Sequence, residues 1–371
     1  MRLNFIGSNW LGRVYRDAGQ ATRRASEKCL DAVEAAVPNA ASFRERSVTP
    51  NSRMFLPALL ACTLLGAPPI RAQGTFRIEV HPIVSLDADA AQALRGKFEG
   101  PSRTVAGELR LPFTEEVRVP AVVFLHGDAG ALSNQPVWID KFIAMGIAVF
   151  TVDSFTGRGA IGQQPGIMIE GRLPSPLMRV PDAQRALELL AKHPRIDPHR
   201  IGLMGGSSGA RTTLYMATRR FAADGSSGRY VGFVALYPPC NLRLNDETDV
   251  TGPIRIHHGA ADIVTRPEFC RAYVGRLKEA GRDAEFYEYP EARHGYDSDP
   301  RMPVQRNPAL PNFSRCELVE RAGGLVNAAT NEPLRPTDAC VSTGIEGGPT
   351  PEAAAQTHAR VLMFYKTLFA K

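Results

Sequence analysis

A succession of short apolar segments constrains the fold of this chain more than any other feature. Several of them are apolar throughout instead of alternating with polar residues, which is typical of strands covered on both faces of a parallel sheet. Helical patterns separate them, for example over residues 182–193 and 266–280. This order predicts right-handed βαβ units and an α/β fold with a mostly parallel, doubly wound sheet. The predicted strands are AVVFLH (121–126), IAVFTVDS (147–154), RIGLMG (200–205), YVGFVALYP (230–238), IRIHHG (254–259) and AEFYEYP (284–290).

Two earlier segments, TFRIEVHPIV (75–84) and TVAGELRLPF (104–113), alternate more regularly and suit antiparallel edge strands. They bring the expected sheet to about eight strands, with helices on both faces. The last helix is expected to begin with Thr350 as N-cap and Pro351 in its first turn. Residues 298–349, rich in Pro, Asn and Gly, are far longer than an ordinary connection. We therefore expect one domain over residues 73–371 with a loop insertion at 298–349.

The N-terminal region has the pattern of an export signal. Arg53 precedes the uncharged run FLPALLACTLLG (55–66), and a Pro-rich stretch of small residues follows it. The run is too short to span a bilayer, which needs roughly 20 helical residues. Residues 54–72 are thus predicted to be a signal peptide cleaved after Ala72, which implies a periplasmic or secreted protein with no membrane span in its mature form. A lipoprotein signal ending at Cys62 and a buried helix of the domain are the alternatives.

The 53 residues before this signal are unusual, because a signal peptide normally begins near the initiator Met. Either Met54 is the true start or Met1 opens an exceptionally long leader. Residues 1–53 contain no motif with a recognisable chemistry, and we interpret them as an upstream extension that is disordered or weakly helical.

The charge distribution does not indicate a nucleic-acid partner. The formal net charge is +6, but beyond residue 73 the chain has 34 basic and 33 acidic side chains. A nearly neutral body offers no phosphate-binding surface.

The cysteines agree with export. Without the leader four remain, an even number that can pair in an oxidising compartment. None has the C-x-x-C spacing, so no metal site is predicted. Cys240 and Cys270 follow neighbouring parallel strands and should meet at the carboxyl end of the sheet, whereas Cys316 and Cys340 lie together in the insertion. The predicted disulfides are therefore Cys240–Cys270 and Cys316–Cys340, and four free thiols are the alternative.

The segment Gly205-Gly206-Ser207-Ser208-Gly209 carries the clearest chemical signal. It has the pattern G-x-S-x-G, directly after a predicted strand and before a predicted helix. In this context the pattern predicts a sharp turn that exposes a nucleophilic serine at the end of the sheet. Ser207 is the predicted nucleophile, and the frame around Ser208 lacks the closing glycine. A glycine-rich turn without catalysis is the other interpretation.

Two further residues follow later strands in the order that such a nucleophile requires. Asp262 comes just after IRIHHG, and His294 just after AEFYEYP. The order Ser, Asp, His along the chain is typical of α/β-hydrolases, in which the carboxylate orients the His and the His acts as base. Taken alone, an Asp after a strand is more often a turn residue or helix cap, and a His in a loop is usually a surface residue. His257 and His258 are predicted to be structural.

The oxyanion hole is expected from two backbone N–H groups. One belongs to Ser208, and the second lies in the loop HGDAG after the first parallel strand. We assign it to Asp128, with Ala129 as the alternative. Such donors contribute roughly 3–4 kcal/mol each to transition-state stabilisation.

The motifs LHGDAG, VDSFTGRG, GLMGGSSGA, GAAD and ARHGYD together resemble the dienelactone hydrolase family of α/β-hydrolases. The resemblance covers roughly residues 75–297 and the last helix. It implies Ser207 as nucleophile, Asp262 as acid, His294 as base and Asp128 as oxyanion donor. The dienelactone hydrolases proper use Cys as nucleophile, so Ser207 favours a general serine esterase.

The function expected from these residues is hydrolysis of carboxylic esters or lactones of small molecules through an acyl-enzyme, without any cofactor. A serine peptidase or amidase uses the same triad, and a catalytically silent binding protein has the same fold. Arg158 is expected to bind a substrate carboxylate, or alternatively to hold the glycine-rich loop in which it lies.

Overall fold

The computed structural model describes residues 76–130, 135–160, 175–223, 228–322 and 324–370. The predicted upstream extension (1–53) and signal peptide (54–72) lie outside the described residues.

Thirteen strands are present in the described part of the chain. The first nine belong to the domain body, and the last four lie in the insertion. In chain order they are β1 (Phe76–Leu86), β2 (Ser102–Pro112), β3 (Val119–Leu125), β4 (Ala148–Asp153), β5 (Ile196–Gly206), β6 (Phe233–Leu236), β7 (Leu242–Arg243), β8 (Ile254–Gly259), β9 (Ala284–Tyr289), β10 (Gln305–Asn312), β11 (Leu318–Arg321), β12 (Gly324–Asn327) and β13 (Ser342–Gly347).

Eight of these strands form the central sheet, in the order β1-β2-β4-β3-β5-β6-β8-β9. The strands from β4 to β9 in this order are parallel, whereas β1 pairs with β2 and β2 with β4 in antiparallel fashion. The strand number, the parallel body and the antiparallel edge are all as predicted. The carboxyl ends of β3, β5, β6, β8 and β9 consequently open at one edge of the sheet.

Helices cover both faces of the sheet. They are α1 (Ala90–Leu94), α2 (Gln135–Ile143), α3 (Val180–Lys192), α4 (Ser208–Ala217), α5 (Pro267–Glu279) and α6 (Pro351–Phe369). A proline stands in the first turn of α3, α5 and α6, where its missing N–H costs nothing. The N-cap of α6 is Thr350, as predicted.

The two faces of β3 show why its sequence is apolar throughout. Val123 and Leu125 belong to the core beneath α3 and α4, whereas Val122 and Phe124 face the core formed by α2 and α6. All seven residues of the strand are buried. A strand with both faces covered has no solvent-exposed side, so apolar and polar side chains do not alternate along it.

The insertion is folded, which differs from the loop expected at 298–349. β10 pairs with β13, and β11 forms a hairpin with β12 and lies parallel to β7. Its longest strand, β10, is mostly exposed and contains two prolines, and β13 is mostly half-buried. Without an apolar face there is no two-residue hydrophobic period in the sequence, so the strands could not be recognised.

Two disulfide bonds join the pairs that the sequence predicts. Cys240–Cys270 connects the segment after β6 to α5, and Cys316–Cys340 closes a 24-residue separation within the insertion. Among the described residues no helix is both long and apolar enough to cross a membrane.

Candidate active site

Ser207 stands at the turn between β5 and α4. Its backbone has φ 54° and ψ −121°, a conformation that a non-glycine residue seldom adopts and that costs free energy. Its N–H donates to the carbonyl of Leu236 on the neighbouring strand, at 2.9 Å. A side chain on Gly209 would collide with the carbonyl oxygen of Leu125, so glycine is required for α4 to pack this closely on β3. The turn thus holds Ser207 in a strained, half-buried position at the end of β5, at the strand–helix turn that the motif predicts.

The three residues predicted as a triad lie in direct contact. Ser207 Oγ is 2.9 Å from His294 Nε2, and His294 Nδ1 is 2.8 Å from Asp262 Oδ2. They come from the ends of β5, β8 and β9, which are separated in sequence but share one edge of the sheet. The arrangement permits proton transfer from the hydroxyl to the imidazole.

The carboxylate of Asp262 is buried and fully engaged. Its Oδ1 accepts the N–H groups of Val264 and Thr265 at 2.8 and 2.9 Å, and its Oδ2 accepts the Thr265 hydroxyl at 2.9 Å besides His294. Burial alone would raise the pKa of Asp262, but the charge and hydrogen bond of His294 outweigh it and leave the pKa below its ordinary value. Asp262 is therefore ionised at neutral pH and fixed in orientation.

The same contact acts in the opposite sense on His294. Burial would lower the pKa of its imidazole, but the charge and hydrogen bond of Asp262 raise it above the ordinary 6.5, with further contributions from Asp128 and Asp297. The side chain of His294 is 16% exposed. The site therefore favours the imidazolium that a general base must become.

Tyr237 packs against the imidazole. Its ring lies 4.8 Å from that of His294 in an edge-to-face arrangement, and its hydroxyl donates to Asp297 at 2.7 Å. Asp297 also accepts the indole N–H of Trp138 at 2.7 Å. The backbone φ of Tyr237 is 41°, and its carbonyl oxygen lies 3.1 Å from the Thr265 hydroxyl. This cluster restricts the orientation of His294.

The expected oxyanion loop lies beside the nucleophile. A Cβ built on Gly127 would be 3.1 Å from Ser207 Cβ, a tight contact that glycine avoids. His126 is buried, and its Nε2 accepts the N–H of Ser154 at 3.1 Å, so its Nδ1–H donates to the Gly127 carbonyl at 2.7 Å. Burial lowers the pKa of His126 to about 3, which keeps the ring neutral. The Gly127 carbonyl belongs to the same peptide group as the Asp128 N–H. The hydrogen bond from His126 therefore holds that peptide group in place.

Ser208 is the first residue of α4. Its hydroxyl accepts a hydrogen bond from Arg179 at 3.1 Å and does not reach His294, in keeping with a role for its N–H and not its side chain.

His257 and His258 lie within β8 and are buried. Burial lowers the pKa of both, and His257 Nδ1 lies 2.8 Å from the Tyr289 hydroxyl.

The expectation that Arg158 binds a substrate carboxylate is wrong. Its side chain is 7% exposed, and all five guanidinium N–H groups are used within the protein. Nε donates to Asp87, Nη1 to Asp182 and the Ser154 carbonyl, and Nη2 to Asp182 and the Leu86 carbonyl. No donor is left for a substrate carboxylate. The alternative interpretation, in which Arg158 holds its loop, describes the residue.

One cluster in the described ranges has the composition of a metal site. The carboxylate of Glu79 lies 3.1 Å from His81 Nε2 and 3.0 Å from His193 Nε2. However, the N–H of Arg195 donates to His193 Nδ1 at 3.2 Å, so a neutral His193 has its proton on Nε2 and no lone pair there for a metal. Arg77 also pairs with Glu79. These donors fit a hydrogen-bonded ion cluster instead of a metal site.

The insertion reaches the site through the backbone of His294. Gly347 bridges to His294, and the Gly348 N–H donates to the His294 carbonyl at 2.8 Å. The side-chain amide of Asn312 donates to the Ile263 carbonyl, next to Asp262, at 2.8 Å. The insertion therefore contacts both loops that present the charged members of the triad.

Comparison with known proteins places this chain in a family. The family model for the dienelactone hydrolase family matches residues 108–314, more than half of the chain and the range that holds Ser207, Asp262 and His294. The chain belongs to the dienelactone hydrolase family. A Methylorubrum extorquens protein named as a carboxymethylenebutenolidase is 24% identical over 271 residues, covering 65% of this chain and 87% of that protein.

Solved structures share the fold. A protein from Klebsiella pneumoniae described as a dienelactone hydrolase has a TM-score of 0.51 at 15% identity, over 78% of this chain and 99% of that one. A dienelactone hydrolase-like promiscuous phosphotriesterase from metagenomic libraries has a TM-score of 0.52 at 15% identity, over 78% and 98%. This family member accordingly has the α/β-hydrolase fold and is a hydrolase.

Proposed function

We propose that this dienelactone hydrolase family member is a serine hydrolase that cleaves carboxylic esters or lactones through an acyl-enzyme. The observation that carries the proposal is the continuous chain of contacts from Ser207 Oγ through His294 to Asp262, at 2.9 and 2.8 Å. The strained backbone of Ser207 and the ionised state of Asp262 support it. The carboxymethylenebutenolidase name of the Methylorubrum relative, which denotes a lactone hydrolase, favours the same bond type.

In the first half of the reaction, His294 Nε2 removes the hydroxyl proton as Ser207 Oγ attacks the carbonyl carbon. The imidazolium that forms donates its Nδ1–H to Asp262, which stabilises the positive charge. Collapse of the tetrahedral intermediate breaks the bond to the leaving oxygen, which takes the proton from His294 Nε2. In a lactone the leaving alcohol stays attached to the acyl group.

In the second half, His294 removes a proton from a water molecule that attacks the acyl carbon. The second tetrahedral intermediate releases the carboxylic acid, and Ser207 recovers its proton from His294. In both intermediates the negative oxygen accepts the N–H groups of Ser208 and Asp128. The start of α4 adds the partial positive charge of a helix N-terminus at the same place.

Hydrolysis of p-nitrophenyl esters and of simple lactones by the purified protein tests this function. We expect turnover by the wild type and a loss on the order of 10⁴-fold or more in Ser207→Ala, since no other group forms the acyl-enzyme. Ser314→Ala is a matched control, because Ser314 is equally a serine of the domain but is buried in the insertion with its hydroxyl unpartnered. Its turnover should stay within about twofold of the wild type.

Aminoacyl anilides in the same panel separate the alternatives. Faster turnover of anilides than of esters would replace the esterase by a peptidase or amidase. No turnover of any substrate and no labelling by a fluorophosphonate probe would indicate a catalytically silent protein.

We also propose that the protein is exported, with a mature chain that begins near Gln73. Two disulfide bonds support this, because such bonds persist in oxidising compartments. N-terminal sequencing of protein recovered from outside the cytoplasm should begin near Gln73. A mature chain that retains residues 1–53 would contradict the proposed signal peptide.

A further inference from the structure

Arg179 is a buried cation that the triad does not use. It precedes α3, its side chain has no exposed surface, and its guanidinium lies 5.3 Å from the centre of the Phe155 ring. Its two hydrogen bonds among the described residues go to uncharged oxygens, those of the Ser208 hydroxyl at 3.1 Å and the His126 carbonyl at 2.6 Å. Its Nε has no hydrogen-bond partner.

This arrangement is costly by itself. Burying a cation without a directly bonded anion is strongly unfavourable. Burial lowers the pKa of Arg179 to about 10, with a smaller opposing contribution from the charges of Asp128 and Asp182, so the guanidinium remains charged at neutral pH. Arg158, by contrast, has direct carboxylate partners for its charge.

The two hydrogen bonds connect the two halves of the proposed oxyanion hole. Nη1 fixes the side chain of Ser208, whose N–H is one donor. Nη2 fixes the carbonyl of His126, whose ring in turn holds the Gly127 carbonyl at 2.7 Å. Because the C=O and N–H of a trans peptide point in opposite directions, holding the Gly127 carbonyl orients the N–H of Asp128. One guanidinium is therefore linked to the residues that carry both donors.

We propose that Arg179 is a positioning residue of the oxyanion hole, which holds the Ser208 and Asp128 N–H groups in place and supplies positive charge to the developing oxyanion. The inference rests on the proposed function. It explains why the guanidinium bonds to neutral oxygens, because a carboxylate in direct contact would cancel the field at the oxyanion.

The test compares kcat and KM for a p-nitrophenyl ester in Arg179→Met, Arg179→Lys and the wild type. Loss of one oxyanion donor costs about 10²–10³ in kcat, so loss of the residue that positions both donors should lower kcat by about 10- to 100-fold, with KM changed less than about threefold. Arg179→Lys keeps the charge and should recover part of the loss. Arg211→Met is the matched control, since Arg211 is also buried but stacks on the Tyr215 ring at 4.4 Å. Its kcat should stay within about twofold of the wild type.

A double-mutant cycle distinguishes positioning from a general loss of folding. Ser208→Ala keeps the N–H but removes the acceptor of Nη1, and we expect a loss of about 3- to 10-fold that does not add to that of Arg179→Met. Binding of a trifluoromethyl ketone, which forms an oxyanion on Ser207, should weaken by the same factor as kcat/KM in each variant.

Several outcomes would overturn the inference. They are an Arg179→Met enzyme with wild-type kcat, a loss confined to KM, an Arg179→Lys enzyme as inactive as Arg179→Met, and additive losses in the cycle. If Arg179→Met does not fold, Arg179→Lys and Ser208→Ala still decide. Absence of Ser207-dependent turnover in the wild type would refute the proposed function instead, so the two failures remain distinguishable.

Discussion

Replacing Asp262 by Asn is the most informative change at the triad, because it removes a charge and leaves the shape almost intact. The backbone N–H groups of Val264 and Thr265 both point at Oδ1, so the Asn oxygen must occupy that position. The Asn amide group then replaces Oδ2 and faces His294 Nδ1 with an N–H instead of a lone pair. A neutral imidazole accepts that hydrogen bond only by moving its own proton to Nε2.

The consequence for catalysis follows from the 2.9 Å contact between Nε2 and Ser207 Oγ. With a proton on Nε2 the imidazole offers no lone pair to the serine hydroxyl. It also has no carboxylate to stabilise the imidazolium. Loss of the correct tautomer in a triad of this type costs about 10⁴-fold in kcat. At 1.36 kcal/mol for each factor of ten, this is about 5.4 kcal/mol of transition-state stabilisation.

The assay is p-nitrophenyl ester turnover at saturating substrate for Asp262→Asn and the wild type. Asp297→Asn is the matched control, because Asp297 is a buried carboxylate near His294 that bonds to Trp138 and Tyr237. We expect it to lower kcat by less than about tenfold. If Asp262→Asn stays within tenfold of the wild type while folding normally, or if the two variants lose equal activity, the assignment of Asp262 as the orienting acid is wrong.

Three further predictions concern pH, the insertion and the disulfide within it. The contact with Asp262 raises the pKa of His294, so the base stays protonated to higher pH. As the pH increases, kcat/KM should therefore rise with a midpoint above pH 6.5. A midpoint at or below that value in the pH profile would contradict the contact. Gly347→Ala should lower kcat, because its Cβ would lie 2.7 Å from the His294 carbonyl oxygen. Gly275→Ala, whose Cβ would enter open space beside its helix, should keep wild-type kinetics, and equal rates for both variants would refute the contact. Replacing Cys316 and Cys340 by Ser should reduce the free energy of unfolding by about 3 kcal/mol in a urea titration, and an unchanged midpoint would show that the bond does not constrain the unfolded chain.

The parts of the fold that depend on burial could be read from the sequence. A strand such as β3 must be apolar on both faces, and the helices that cover it must have an apolar stripe, so pattern and structure agree. The turn at Ser207 could also be recognised from the sequence, because its glycines are required by local sterics. The disulfides followed from the topology once the strands were placed. The strands of the insertion could not be recognised, because β10 is mostly exposed, β13 is mostly half-buried and neither has a buried apolar face.

The contacts that complete the site are of another kind. From the sequence, Arg158 could bind a substrate carboxylate. Only the fold shows that Asp87 and Asp182, which are 71 and 24 residues away in sequence, bind its guanidinium. Tyr237 reaches His294 across two strands, and Arg179 reaches His126 over 53 residues. No local pattern marks such partners. A buried arginine before a helix has no sequence signature, and its significance depends on which oxygens it meets.

The central claim is that Ser207 carries the acyl group during turnover, and trapping that intermediate tests it most directly. Protein mixed with a slowly hydrolysed p-nitrophenyl ester is quenched in acid, digested and analysed by mass spectrometry. The account predicts one acyl group on the peptide that contains Ser207, located on Ser207 and not on Ser208, with no such adduct in Ser207→Ala. Turnover without an adduct under conditions in which deacylation is slow, or an adduct on another residue that persists in Ser207→Ala, would contradict the account.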